Sequence, residues 1–205
     1  MTRQGLFAQA LYGQMSNNHV RLVPLGEVDL EALRQAGNDP AIWQWMPLDG
    51  SGNSWSGFVA HVLAEAEAGR WVPFGVLTPE GRPVGMTCFL NLDDANRRVE
   101  IGSTWYAPSV QGGPINPAAK LLMLERGFSA GAVRIELKTD ARNGRSRNAI
   151  LKLGATEEGI LRKHMRRRDG SWRDTVYFSV LDTEWGFVLD RLDARLVALT
   201  GSRQT

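Results

Sequence analysis

The chain has 205 residues, 43% of them hydrophobic and 22% charged, which suits one ordinary globular domain and excludes a disordered chain. Lysine and arginine number 24 against 22 acidic residues, and a net charge of +2 is too small to mark a nucleic-acid binder. The single cysteine, Cys88, excludes an intrachain disulfide, and no stretch approaches the ~18 apolar residues of a membrane span. The opening MTRQGLFAQALYGQM makes a poor signal peptide, because Gln9 and Gln14 break its short apolar run, and a cytoplasmic location is expected.

In chain order, VRLVPL (20–25) predicts a short strand. EVDLEALRQAGNDP predicts a helix that Asn38-Asp39-Pro40 stops, since a proline disfavours helix at the residue before it. AIWQWMPLDGSGNS reads as a loop rich in tryptophan and glycine. A second helix follows in SWSGFVAHVLAEAEAGR, with Phe58, Val62, Leu63 and Ala66 on one face and Gly69 as its stop. The period then changes to two. WVPFGVLT and VGMTCFLNL read as strands joined by the turn PEGRP, and RRVEIGSTWYAP as a third. A loop and helix come next in SVQGGPINPAAKLLMLERGF, then the strand VRIELKTD and the short helix NGRSRNAILKLGA. EEGILRKHMR and WRDTVYFSVLD form a hairpin around Arg168-Asp169-Gly170. The last element is an amphipathic helix carrying Trp185, Val188, Leu189, Leu192 and Leu196, and the tail GSRQT is expected to fray. This order predicts an α+β fold around one mixed sheet, read as a single domain over 1–205 with an N-terminal arm (1–16) and a C-terminal helix (183–199).

Three segments carry candidate chemistry. In the first, Asn116-Pro117 is a helix-start signature: asparagine is a strong N-cap, and proline suits the first helical position because its missing N–H would find no partner there. The small-residue loop Gln111-Gly112-Gly113-Pro114-Ile115-Asn116 before that start lets backbone N–H groups converge on an anion, and Lys120 is placed to add a charge. A tight turn without a ligand is the alternative. The spacing is neither a P-loop nor a Rossmann fingerprint, no Gly-x-Ser-x-Gly elbow occurs, and His19, His61 and His164 have no metal-like spacing, so no metal site is expected. In the second, alternation sends Val99 and Ile101 to one face of their strand and Glu100 to the other. That makes Glu100 a candidate general base, or else a solvated residue paired with Arg97 or Arg98. In the third, Asn143 and Ser146 share a helix face, where capping is the competing role.

Together, VEIGSTWYAP, NPAAKLLMLERGF, IELKTDARNGRSRNAILKLGA and EGILRKHMRRRDGSWRDTVYFSVLDTEW resemble the GNAT superfamily of acetyl-CoA-dependent N-acetyltransferases. The likeness points to its RimJ/RimL branch, which acetylates ribosomal-protein N-termini. The resemblance implies the GNAT fold: a mixed, mostly antiparallel central sheet flanked by helices, with an extra C-terminal helix. It implies that the loop with Gln111, Gly112, Gly113, Ile115 and Asn116 binds the pyrophosphate of coenzyme A, where Lys120 is expected to add its charge, and that Ser103, Thr104 and Trp105 pair with the pantetheine arm. Asn143 and Ser146 would face the thioester, with Glu100 as base and Ser146 as acid. The acceptor is expected to be a primary amine, either a protein N-terminus or a small-molecule amine, lying over Trp43, Trp45 and Met46; packing under the loop is the other reading of those three. One departure stands out. Pro114 occupies a glycine position of the family's loop and removes one N–H donor, which keeps open a non-catalytic acetyl-CoA-binding protein as the alternative. Arg166, Arg167 and Arg168 with Trp172 read as a solvated hairpin tip rather than an RNA surface, Cys88 as buried core, and the N-terminal arm and terminal helix as candidate homodimer contacts.

Overall fold

The computed structural model describes residues 6–201; residues 1–5 of the arm and 202–205 of the tail lie outside the described residues. The elements run α1 (Leu6–Ala10), β1 (Met15–Ser16), β2 (Arg21–Pro24), α2 (Leu30–Ala36), α3 (Trp55–Glu67), β3 (Trp71–Leu77), β4 (Pro83–Asp93) and β5 (Arg98–Tyr106). They continue with α4 (Ile115–Ser129), β6 (Arg134–Asp140), α5 (Gly144–Leu153), β7 (Thr156–Arg166), β8 (Trp172–Leu181) and α6 (Trp185–Thr200). The eight strands among the described residues form one sheet in the order β1-β2-β3-β4-β5-β6-β8-β7. Only β5 and β6 run parallel; every other pair is antiparallel. This is the mixed, mostly antiparallel sheet expected, with helices on both faces.

The alternation of the strands sorts the core into two layers. Phe74, Phe89, Ile101 and Ile135 pack with Met123 and Leu124 of α4 and Val188, Leu192 and Leu196 of α6. Met86, Cys88 and Leu90 face the other way, into Leu33 of α2, Phe58 and Val62 of α3, and Trp43 and Trp105. Val188, Leu192 and Leu196 of α6 are thus buried inside the molecule, Trp185 and Leu189 are partly buried against the same core, and Phe187 stays exposed. In α3 the buried stripe is Trp55, Phe58 and Val62, while Leu63 is exposed, because one residue past Val62 the helix has turned ~100° away from the sheet. Gly69 ends this segment in the left-handed region at φ +72°, as a stop glycine should.

Two irregularities shape the centre of the sheet. Opposite Thr87 the register of β4 and β5 slips, so that Met86 faces Trp105 while Cys88 faces Gly102. Ser103 takes up the extra residue at φ +46°, a β-bulge. On its other edge β5 pairs with β6 only from Arg98↔Arg134 to Glu100↔Glu136. Beyond Glu100 the two strands part. The α4 helix starts beside this opening on one side, and α5 on the other.

Candidate active site

The parted strands open into a cleft of about 910 Å³. Every residue nominated from the sequence lines it except Trp43 and Ile115. Trp43 is fully buried, donates its Nε1–H to the Gly37 carbonyl at 2.7 Å and packs on Phe58 and Trp105, so it belongs to the core. Ile115 also turns its side chain into the core, leaving only its backbone N–H to a ligand. The Trp105 ring packs against Trp43 in the core, and the residue also borders the cleft. Trp45 and Met46 do line the cleft, and the Arg142 guanidinium lies 5.5 Å from the Trp45 ring centre.

At the loop, the structure corrects the helix start. Helix α4 begins at Ile115, with Pro114 in the cap position at φ −75°, and its first hydrogen bond runs from the Ala118 N–H to the Pro114 carbonyl at 3.0 Å. Asn116 lies inside the first turn and makes no side-chain cap. The signature misleads because the whole first turn lacks i−4 acceptors, so Asn-Pro fits inside it as well as before it. The N–H groups of Ile115 and Asn116 therefore point out of a 15-residue helix with no carbonyl to meet. Gly112 stands at φ +82° with open space where a Cβ would be, so a ligand can approach the backbone closely. Such a cradle of free donors at a helix N-terminus fits a pyrophosphate. Gln111 holds the loop: its Nε2 donates to the Tyr106 carbonyl at 2.9 Å, and its Oε1 accepts from Arg145 at 2.6 Å. Arg145 also lines the cleft and brings the start of α5 to the loop.

Lys120 does not reach that loop. It is 7% exposed, and its Nζ donates to Thr104 Oγ1 at 2.7 Å and Thr87 Oγ1 at 3.3 Å beneath the bulge. Burial pushes its pKa down from 10.5 to about 7. Neighbouring Cys88 is fully buried, and burial pushes its thiol pKa up, in keeping with a core residue.

Glu100 is 3% exposed on the cleft side of β5. Neither predicted arginine meets it. Arg97 donates to the Gly131 carbonyl, and Arg98 pairs with Asp93 and Glu136. Its partners are Lys138 Nζ at 2.8 Å and Asn91 Nδ2 at 2.7 Å, both on Oε2. Oε1 lies over Gly102, where a Cβ would come within 2.9 Å of it. Sequence reasoning missed Lys138 and Asn91. The signal for Lys138 was the polar series Glu136, Lys138, Asp140 alternating with the buried Ile135 and Leu137. Asn91 turns to Glu100 at a register slip, at φ +51°, which nothing local announces.

Asn143 caps α5, accepting the Ser146 N–H at 3.1 Å, and both residues also line the cleft, so capping and the site coincide. The arginine run is a solvated tip only in part: Arg166 and Arg168 are exposed, but Arg167 and Arg168 are both bonded to other segments. Arg167 grips Asp140 with 2.6 and 3.0 Å bonds, and Arg168 reaches Asp49 at 2.5 Å and the Trp43 carbonyl at 2.7 Å. Only Arg166 lies on the surface aromatic, 4.9 Å from the Trp172 ring centre. Arg168 thus ties the β7–β8 hairpin to the loop carrying Trp43 and Asp49, and Arg167 ties it to the end of β6. Among the described residues, no group of three or more His, Cys, Asp or Glu side chains is placed to hold a metal ion, and no helix is long and apolar enough to cross a membrane.

Residues 19–156 match the sequence family described as the acetyltransferase (GNAT) domain. YdaF of Bacillus subtilis (strain 168), provisionally named a ribosomal N-acetyltransferase, is 33% identical over 107 residues, 52% of this chain and 57% of YdaF. That match therefore spans little more than half the length of the relative. The structure of a GCN5-related N-acetyltransferase from Brucella melitensis superposes with a TM-score of 0.82 at 28% identity, covering 90% of this chain and 85% of that one. RimJ of Mycobacterium smegmatis, in complex with CoA-disulfide, does so with a TM-score of 0.75 at 28% identity, covering 89% and 93%.

Proposed function

The chain belongs to the acetyltransferase (GNAT) family and is a transferase, and from that premise we propose that it moves an acetyl group from acetyl-CoA to a primary amine by direct transfer, with Glu100 as general base. The observation that carries this is the Glu100 carboxylate: buried in the cleft, held on one oxygen by Lys138 and Asn91, and open on the other above Gly102. The two donors fix its orientation and leave Oε1 to take the proton of the attacking amine, directly or through one water.

Acetyl-CoA, when bound, supplies the activated acetyl thioester. The free N–H groups of Gly112, Gly113, Ile115 and Asn116 would hold its pyrophosphate, assisted by the dipole of α4. The unpaired edge of β5 from Ser103 to Trp105 would receive the pantetheine arm, and its N–H groups the carbonyl oxygen as charge builds on it. The Ser146 hydroxyl, at the start of α5, would serve the departing thiolate. A protein N-terminus is the acceptor favoured here. At pH 7, freeing an α-amine with pKa near 8 costs about 1 kcal/mol, against about 4–5 kcal/mol for a lysine near 10.4. The provisional name of YdaF, ribosomal N-acetyltransferase, is compatible with such an acceptor. A reducing, cytoplasmic setting suits the lone buried Cys88.

The test is thiol release from acetyl-CoA with a panel of peptides, amino acids, polyamines and aminoglycosides, run on the native protein and on Glu100→Gln. Acceptor-dependent release that the variant loses supports the reading. Acetyl-CoA binding without release to any amine would overturn it.

A further inference from the structure

Arg173 is a buried cation that the proposed chemistry leaves unused. It lies on β8 two residues before Thr175, which faces Asp140 of β6. The period of two puts it on the face that carries Asp140, Lys138 and Glu100. It is 8% exposed, and it borders both the main cleft and an adjoining cavity of about 330 Å³ under Trp45 and Met46. Its Nε has no hydrogen-bond partner.

The carboxylates that would ordinarily answer this charge are taken. Both oxygens of Asp140 are held by Arg167, and the Arg142 N–H adds a third bond at 2.9 Å. Glu100 is engaged through Oε2 by Lys138 and Asn91, and neither of its oxygens is bonded to Arg173. The corner thus sets three cations, Lys138, Arg167 and Arg173, against two carboxylates. An unpaired buried guanidinium is costly, and desolvation accordingly holds the Arg173 pKa below its ordinary value, against the pull of Asp140 and Glu100. Arg134, on the neighbouring strand β6, is by contrast paired with Glu136 and Glu158.

We infer that Arg173 receives a carboxylate of the acceptor, so that the enzyme prefers amines carrying a carboxylate to their neutral counterparts. The planar fork of a guanidinium matches a carboxylate edge to edge. The carboxylate has two sources: the α-carboxylate of a free amino acid, or an acidic side chain at the start of a peptide. The amine half of the inference rests on the proposed acetyl transfer; the carboxylate half rests on Arg173 alone.

The experiment measures kcat/KM for matched acceptors: free amino acids against their amides, and peptides beginning with Asp or Glu against those beginning with Asn or Gln. The native enzyme should favour the acid member of one pair type by about 10- to 100-fold, the worth of a hydrogen bond to a charged group, and the responsive pair identifies the source. In Arg173→Gln that ratio should fall to about 1, and Arg173→Lys should retain part of it. Thermal shift by the same acids, without acetyl-CoA, gives a second reading that needs no turnover. Arg173→Met should by itself raise the ligand-free melting temperature, since it removes a buried unpaired charge. Acetyl transfer with no preference for acids overturns the role of Arg173 and leaves the transferase reading intact. No transfer to any amine, with acids stabilising the native protein but not Arg173→Gln, does the reverse. If acids neither react better nor stabilise, the carboxylate site is refuted whether or not transfer occurs.

Discussion

Lys120→Met should make the protein more stable at neutral pH, although it removes two hydrogen bonds. Lys120 Nζ sits under the sheet between the hydroxyls of Thr104 and Thr87, and burial takes its pKa from 10.5 to about 7. Below pH 7 both the folded and unfolded chains carry the proton, and the fold bears the whole cost of a buried ammonium. Between pH 7 and 10.5 the unfolded chain holds a proton that the fold has released, so stability rises with pH, and the cost is gone above 10.5. At ~1.4 kcal/mol per pH unit, the cost is about 4 kcal/mol at pH 7 and about 2 kcal/mol at pH 9. Methionine keeps the apolar stem, and Thr87 and Thr104 remain bonded to each other at 2.8 Å. Allowing about 1 kcal/mol for each hydrogen bond lost, the variant should gain about 1–3 kcal/mol at pH 7. That advantage should shrink by about 2 kcal/mol by pH 9. Urea unfolding of both proteins at pH 6, 7, 8 and 9 measures the difference, and groups common to both cancel from it. A difference that stays constant from pH 7 to 9 would mean that Lys120 is charged in the fold, and the reasoning fails.

Three other outcomes are expected. Glu100→Gln should lower turnover by roughly 10²–10⁴-fold while the thermal shift by acetyl-CoA persists; turnover close to native across pH would return Glu100 to a structural role. Gly102→Ala places a methyl 2.9 Å from Glu100 Oε1 and 2.7 Å from Leu90 Cδ1. It should cost about 10- to 100-fold in kcat by displacing the carboxylate, with CoA affinity nearly kept; an unchanged kcat would show that Oε1 has no part in the reaction. Pro114→Gly restores a donor at the start of α4 and should tighten CoA binding about three- to thirty-fold by titration calorimetry, the gain of a charge-assisted bond less the lost rigidity. Unchanged or weaker binding would mean that this position offers no N–H to phosphate.

The elements of this protein were legible because their signals are local. Alternation along β3, β4, β5 and β6, the stop at Gly69 and the turn at Gly170 each need only a few neighbouring residues to be read. The same locality placed Glu100 opposite Val99 and Ile101, and set Asn143 and Ser146 on one turn of α5. The short α1 and β1 escaped because five and two residues carry too little pattern; β1 exists by pairing Met15 with Leu22. What the tertiary structure decided is which side chains meet. Glu100 finds Lys138 rather than its chain neighbour Arg98 because the parallel register of β5 and β6 sets Glu100 beside Glu136 and brings Lys138 next on the same face. Trp43 and Trp45, two residues apart, divide between core and cleft, and Arg167 becomes the partner of a buried Asp140 instead of a solvated charge. Arg173, unremarkable in WRDTVYF, gains its meaning only when Asp140 and Glu100 are seen to be committed elsewhere. Period and capping act within about four residues along the chain. Strand register, and with it the company each charge keeps, is settled between segments that meet only in the fold.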